Sequence, residues 1–230
     1  MMIKKILACC IVIALIIGGA NTFGPNLAAE GLYQALSQKM ELAPDDVTVI
    51  ATPGGKVFLG NIDEVQVHAN QFTVGKVQFE SFDCILKNVQ FDPIDTLVSQ
   101  RLAITHADYG EMTASVKRDA LRDFLLKKID GLSNVTVDFQ DNLIHVEGDL
   151  EVGGLFTAHA KIDGAFGMNG TKLMFIPQNM TVEGLGIKYS SSSIGNAEIY
   201  DFQTFPLGMQ PDKVTMDGDV LTIHGQIRNS

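Results

Sequence analysis

An α+β fold, with a long, strongly curved antiparallel sheet wrapped around one amphipathic helix, is what the sequence predicts. Three observations predict it. Residues 115–132 place Val116, Ala120, Leu121, Phe124, Leu125, Ile129 and Leu132 at steps of three and four, the period of one helix face. Most of the remaining chain alternates apolar and polar side chains with period two, the mark of half-buried strands. Between residues 61 and 91 that alternation changes phase repeatedly. Each one-residue slip turns the pleat over, so these strands must bulge, and bulged strands bend.

In chain order, Lys4 and Lys5 precede an unbroken apolar run over residues 6–17, followed by Gly18-Gly19-Ala20. That is the layout of a secretory signal with cleavage after Ala20, and the run is short for a spanning helix. An uncleaved membrane anchor over residues 1–20 is the alternative. Either reading predicts an extracytoplasmic protein of the periplasm or cell envelope, secreted or membrane-associated, with residues 25–230 as a single domain. Cys9 and Cys10 follow Lys5 too closely for a lipoprotein signal. Cys84 is then the one thiol of the exported chain, which excludes an internal disulfide and leaves stability to the core.

Residues 25–40 carry Leu27, Gly31, Leu32, Ala35, Leu36 and Met40 on a second helical stripe, which packs on the domain or, as the alternative, lies at the membrane surface directly after the secretory segment. Strands at 47–51 and 57–59 flank a turn at Pro53-Gly54-Gly55. Gly60 and Gly75 are the expected bulge or turn sites of the 61–91 run. Asp92-Pro93 opens a short helix through about Val98. Strands at 102–105 and 112–116 flank Tyr109-Gly110 and feed the main helix, which Ser115 caps and Gly131 ends. Hairpins then turn at Asp141-Asn142, Asn169-Gly170 and Asp217-Gly218. Residues 190–193 read as a polar connector and 194–202 as a short helix.

With 17 Lys+Arg against 27 Asp+Glu the chain is acidic, which argues against nucleic acid as a partner, since phosphate neutralisation needs cations over a wide surface. The sequence has no phosphate loop, dinucleotide fingerprint, zinc-protease helix or nucleophile elbow, so no enzyme and no cofactor is expected. His68, His106, His145, His159 and His224 sit singly within strand patterns, without metal-ligand spacing. Lys117, Arg118, Arg122, Lys127 and Lys128 occupy the polar face of the main helix. They form either a solvated face or a local positive patch suited to anionic headgroups.

Hydrophobic geometry remains. A helix of about sixteen residues spans about 24 Å, while several strands exceed the usual five or six residues. Sheet and helix therefore need not seal one another. The candidate apolar groove lies between Leu121, Phe124, Leu125 and Ile129 on the helix and Phe139, Phe166, Phe175 and Phe202 on the strands. A plain packed core draws on the same residue types.

The order of elements resembles the LmeA-like phospholipid-binding family of bacterial cell-envelope proteins over about residues 25–230. The resemblance rests on the N-terminal secretory segment, the curved run at 61–91, and residues 107–116, Ala-Asp-Tyr-Gly-Glu-Met-Thr-Ala-Ser-Val, entering the helix. It continues through the strand-turn-strand at 164–177, ending Leu-Met-Phe-Ile-Pro, then Phe205-Pro206-Leu207-Gly208 and the hairpin at 214–225. The family often has Leu where this chain has Phe205, which keeps the apolar character. The resemblance implies a non-enzymatic protein that holds or hands over phospholipid in an apolar groove, with an architecture similar to tubular lipid-binding domains. Its partners would be phospholipid and the membrane surface. The alternative is an envelope scaffolding protein that takes a protein partner through its sheet edge or groove. A hydrolase of envelope polymers is the least supported, because no nucleophile or acid/base pair emerges.

Overall fold

The computed structural model describes residues 2–38, 40–74, 77–99, 104–128, 130–152, 156–184, 186–191, 195–201, 207 and 209–227, without the side chains of 2–18, 20, 74, 97, 99, 128, 152, 187 and 200. Helix α1 spans Met2–Ser37. After a 3-10 turn at Pro44–Asp46 come β1 (Val47–Ile50), a 3-10 segment at Gly54–Leu59, β2 (Asn61–Val74) and β3 (Val77–Phe91). Next are α2 (Pro93–Ser99), β4 (Ile104–Lys117) and α3 (Arg118–Lys128). The rest is strand. These are β5 (Leu132–Gln140), β6 (Leu143–Val152), β7 (Phe156–Asn169), β8 (Lys172–Gly184), β9 (Ile187–Ser191), β10 (Ala197–Asp201), β11 (Met209–Asp217) and β12 (Val220–Ile227).

The class is α+β, mostly antiparallel sheet with few helices. One sheet has the order β1-β2-β3-β4-β12-β11, and the second runs β10-β8-β7-β6-β5 with β9 also paired to β8. The chain divides into two compact units, one of residues 1–69, 83–111 and 227–230, the other of 70–82 and 112–226.

In the first unit α1 packs on β1 and on the Gly54–Leu59 segment. Of the stripe expected over 25–40, Leu32, Ala35, Leu36 and Met40 are buried, while Leu27 is exposed. The helix does not begin at Pro25, as the turn residues there suggested, but runs through it. The cleavage point expected after Ala20 falls inside α1, and the side chains of the apolar run lie outside the described residues. Among the described residues no helix is long and apolar enough to cross a membrane. Residues 57–59 coil in a 3-10 turn rather than extend as a strand. The cause is close approach: a Cβ on Gly54 would sit 2.8 Å from the Cα of Asn21, and the Gly55 N–H donates to Asn21 Oδ1 at 3.3 Å.

The phase slips of 61–91 are real, but they do not fall on the expected glycines. Burial runs Val65, Val67, Ala69 and then Phe72, with Gln71 at φ 51°; it runs Phe82, Cys84, Leu86 and then Val89, with Asn88 at φ 51°. A single left-handed residue turns the pleat over. Gly60, at φ 79°, ends the 3-10 segment instead, and Gly75 lies outside the described residues.

In the second unit Phe72 stacks on Phe79 with centroids 5.1 Å apart and meets Phe82 edge-on at 6.2 Å. The main helix is shorter than the pattern predicted. Strand β4 passes straight through Tyr109-Gly110 to Lys117, so Ser115 lies in a strand and caps nothing. The reason is a long-range pairing: the Arg118 N–H donates to the Asp219 carbonyl at 2.8 Å. Gly131 does break the chain after α3, at φ 78°, and Leu132 opens β5. The short helix expected over 194–202 is replaced by β10, and Ser190 and Ser191 belong to β9 rather than to a connector.

Candidate apolar site on the second sheet

Alternation and register give the second sheet two unlike faces. Read across the strands, one face presents Asp138, His145, Asp163 and Asn179 in a row. The next row holds Thr136, Glu147, Lys161, Thr181 and Ser190, and a third holds Ser133, Asp149, His159, Glu183 and Lys188. Polar and charged side chains directly across a pair reach one another. His145 meets Asp163 at 2.7 Å, Lys161 meets Glu147 at 2.8 Å, His159 meets Asp149 at 2.8 Å and Lys188 meets Glu183 at 2.5 Å. The hydrogen bond from Asn134, at 2.8 Å, and then that from His159 hold the Asp149 carboxyl below its ordinary value. Lys188 does the same to Glu183, and Glu147 raises the Lys161 ammonium. A recess of about 550 Å³ on this face is lined by Arg118, Thr136, Asp138, Gln140, His145 and Asp163, with Val137 and Glu147. It lies beside the first residue of α3 and is polar.

The other face is apolar. Val137, Val146, Ile162 and Met180 form one row and Gly148, Ala160, Val182 and Tyr189 another. Its core is Val135, Val137 and Ile144, all buried; Leu121 and Leu125 of α3 pack there with Leu132, Phe139, Val146, Phe166 and Phe175. Helix α3 lies along β5, and β11 touches β5 and β7. The Phe166 and Phe175 rings sit 5.7 Å apart at 58°. Gly164 makes room for them, since a Cβ there would come within 2.5 Å of the Phe175 ring. Away from α3 the burial falls off: Val146, Ile162, Met180 and Val182 are all partly exposed, and Tyr189 is 60% exposed.

Five of the eight expected groove residues, Leu121, Leu125, Phe139, Phe166 and Phe175, therefore meet on one cluster. Phe124 is partly buried outside it, and Ile129 and Phe202 lie outside the described residues. Sequence reasoning missed the cluster's centre, Val135, Val137 and Ile144, and its extension through Ile162, Met180 and Val182. The signal was present as period-two alternation, but only cross-strand register turns it into a surface.

The expected cationic patch is largely matched by acids. Lys117 pairs with Glu80 at 2.8 Å, Arg118 with Asp138 at 3.1 Å, and Arg122 with Asp119 and Asp123 at 2.9 and 3.0 Å. Lys127 is exposed and has no ion pair among the described residues; the Lys128 side chain lies outside them. Among the described residues no three His, Cys, Asp or Glu side chains gather as a metal would need. Comparison with protein-family models, curated proteins and solved structures finds no match.

Proposed function

We propose that this protein is a non-enzymatic phospholipid-binding protein of the cell envelope, and that acyl chains lie on the apolar face of the second sheet beside α3. One observation carries the reading. The row Val137, Val146, Ile162, Met180 starts buried against α3 and continues as partly exposed apolar surface across three more strands. Contiguous exposed apolar surface is costly in water unless something covers it. A flexible hydrocarbon chain suits such a strip, because it needs no polar partner and follows a bent surface. The phase slips in β2 and β3 and the LmeA-like order of elements agree with a curved, tubular-type lipid site. Lys127, exposed near the end of α3 and without an ion pair among the described residues, is placed to draw anionic headgroups, with Lys128 next to it in sequence.

Native mass spectrometry of the gently purified full chain tests this. Phospholipid adducts are expected on the wild type, reduced several-fold in Ile162→Asp and Met180→Asp chains that keep their circular dichroism. A lipid-free wild type that also ignores anionic liposomes would contradict the reading. Replacing Lys127 and Lys128 with Gln should weaken liposome binding at low salt and matter less at high salt, where screening shortens the reach of charge. Unchanged low-salt binding would remove these two lysines from the account.

A further inference from the structure

The first unit carries exposed apolar side chains of its own, and they gather. Phe23 and Leu27 lie one turn apart on α1, Phe58 and Leu59 end the Gly54–Leu59 segment, and Ile94 and Val98 lie one turn apart on α2. Each is more than half exposed. Isolated apolar residues on a surface need no explanation, but grouped ones do.

Their elements are neighbours. The Gly55 N–H reaches Asn21 Oδ1, and a Cβ on Gly24 would lie 3.5 Å from the Phe58 ring. At the other end of the segment, a Cβ on Gly60 would lie 3.2 Å from Pro93, the first residue of α2. The Gly60 carbonyl also accepts the Phe91 N–H at 2.9 Å. The three apolar pairs thus follow one another from α1 through the 3-10 segment to α2.

We propose that these six residues form a surface that seats the first unit on a lipid bilayer. Helix continuity selects this occupant. The apolar run at 6–17 and Phe23 belong to the same helix, six residues apart, or about 9 Å along the axis. With residues 1–20 retained as the anchor and that run in hydrocarbon, Phe23 and its neighbours sit near the interfacial depth where partly apolar surfaces settle. The charges nearby do not offer an electrostatic alternative. Lys56 is paired with Asp63, and Asp92 accepts the N–H groups of Ile94 and Asp95 at 2.8 and 2.9 Å, capping α2. Docking here is therefore driven by apolar insertion and does not require anionic lipid. It stands independently of the acyl site on the second sheet.

The chain contains no Trp, so single tryptophans report cleanly. Phe23→Trp, Leu59→Trp and Val98→Trp would be made separately in the full chain and mixed with neutral phosphatidylcholine vesicles brominated in their acyl chains. All three emissions should shift to the blue and be quenched, and they should do so equally at high salt. The proposal is overturned if none responds, or if Phe23→Trp alone responds, because then only the helix enters the bilayer. Blue emission before vesicles are added would also overturn it, by showing the face covered by protein. An added Ile162→Asp should leave all three signals intact, which separates failure of this surface from failure of the second-sheet site.

Discussion

Ile144 and Ile162 share the apolar face of the second sheet, yet their surroundings assign them different work. Ile144 is 2% exposed at the centre of the cluster. Truncating Ile144→Ala should cost about 2–4 kcal/mol in a denaturant melt, the usual loss for a buried aliphatic that leaves a cavity. Ile162 is partly exposed, so Ile162→Asp should lower stability less while lowering lipid content more. Stability losses in the opposite order would mean that the strip is ordinary core. On the polar face, Asn134→Ala removes the leading cause of the lowered Asp149 carboxyl. Its titration, followed by carboxyl-carbon NMR, should move up toward the ordinary value of 3.8. Cys84 is buried and its thiol pushed up to about 12, so in a Cys9→Ser, Cys10→Ser chain it should resist alkylation until the protein unfolds.

At the scale of elements, the phase slips of β2 and β3 fall beside two non-glycine residues in the left-handed region, Gln71 and Asn88. Asn tolerates that region through its short polar side chain, and Asn88 also donates to Asp108 at 2.9 Å. Gln71 has no such excuse. Gln71→Gly should be neutral or stabilising, whereas Gln71→Val should cost about 1–2 kcal/mol, measured by thermal melts. Much of this architecture was legible from pattern. Period-two alternation marked the strands, and Asp141-Asn142, Asn169-Gly170 and Asp217-Gly218 marked the turns. The stripe of Leu121 and Leu125 marked the helix. What was not legible depended on partners distant in the chain. The Asp219 carbonyl extends β4 past Ser115, α1 forces residues 57–59 to coil, and Glu80 and Asp138 neutralise Lys117 and Arg118. The Arg122 pair with Asp119 is the exception, since its i,i+3 spacing along the helix could have been read directly.

For the whole molecule, stability should depend on pH in a direction the ion pairs define. Asp63, Asp108, Asp149 and Glu183 are held below their ordinary values, chiefly by hydrogen bonds from Lys56, Asn88, Asn134 and Lys188 respectively. A carboxyl lowered by folding adds stability above its unfolded value, and that stability is lost as pH falls through the folded one. Lys117, Lys161 and Lys172 are raised, mainly by hydrogen bonds to Glu80, Glu147 and Glu198. Their contribution is complete below the ordinary lysine value and is lost as pH rises through the folded one. The melting temperature should therefore be level from about pH 5 to 9 and fall beyond both ends. A maximum at pH 3 would contradict this.

The acyl-chain site itself is tested most directly by a phospholipid carrying a photoactivatable diazirine on its tail, bound to the full chain and cross-linked. Adducts are expected on Val146, Ile162, Met180, Val182 and the Phe166–Phe175 pair. Adducts confined to residues 2–37, 58–59 and 94–98, with none on the second sheet, would contradict the account.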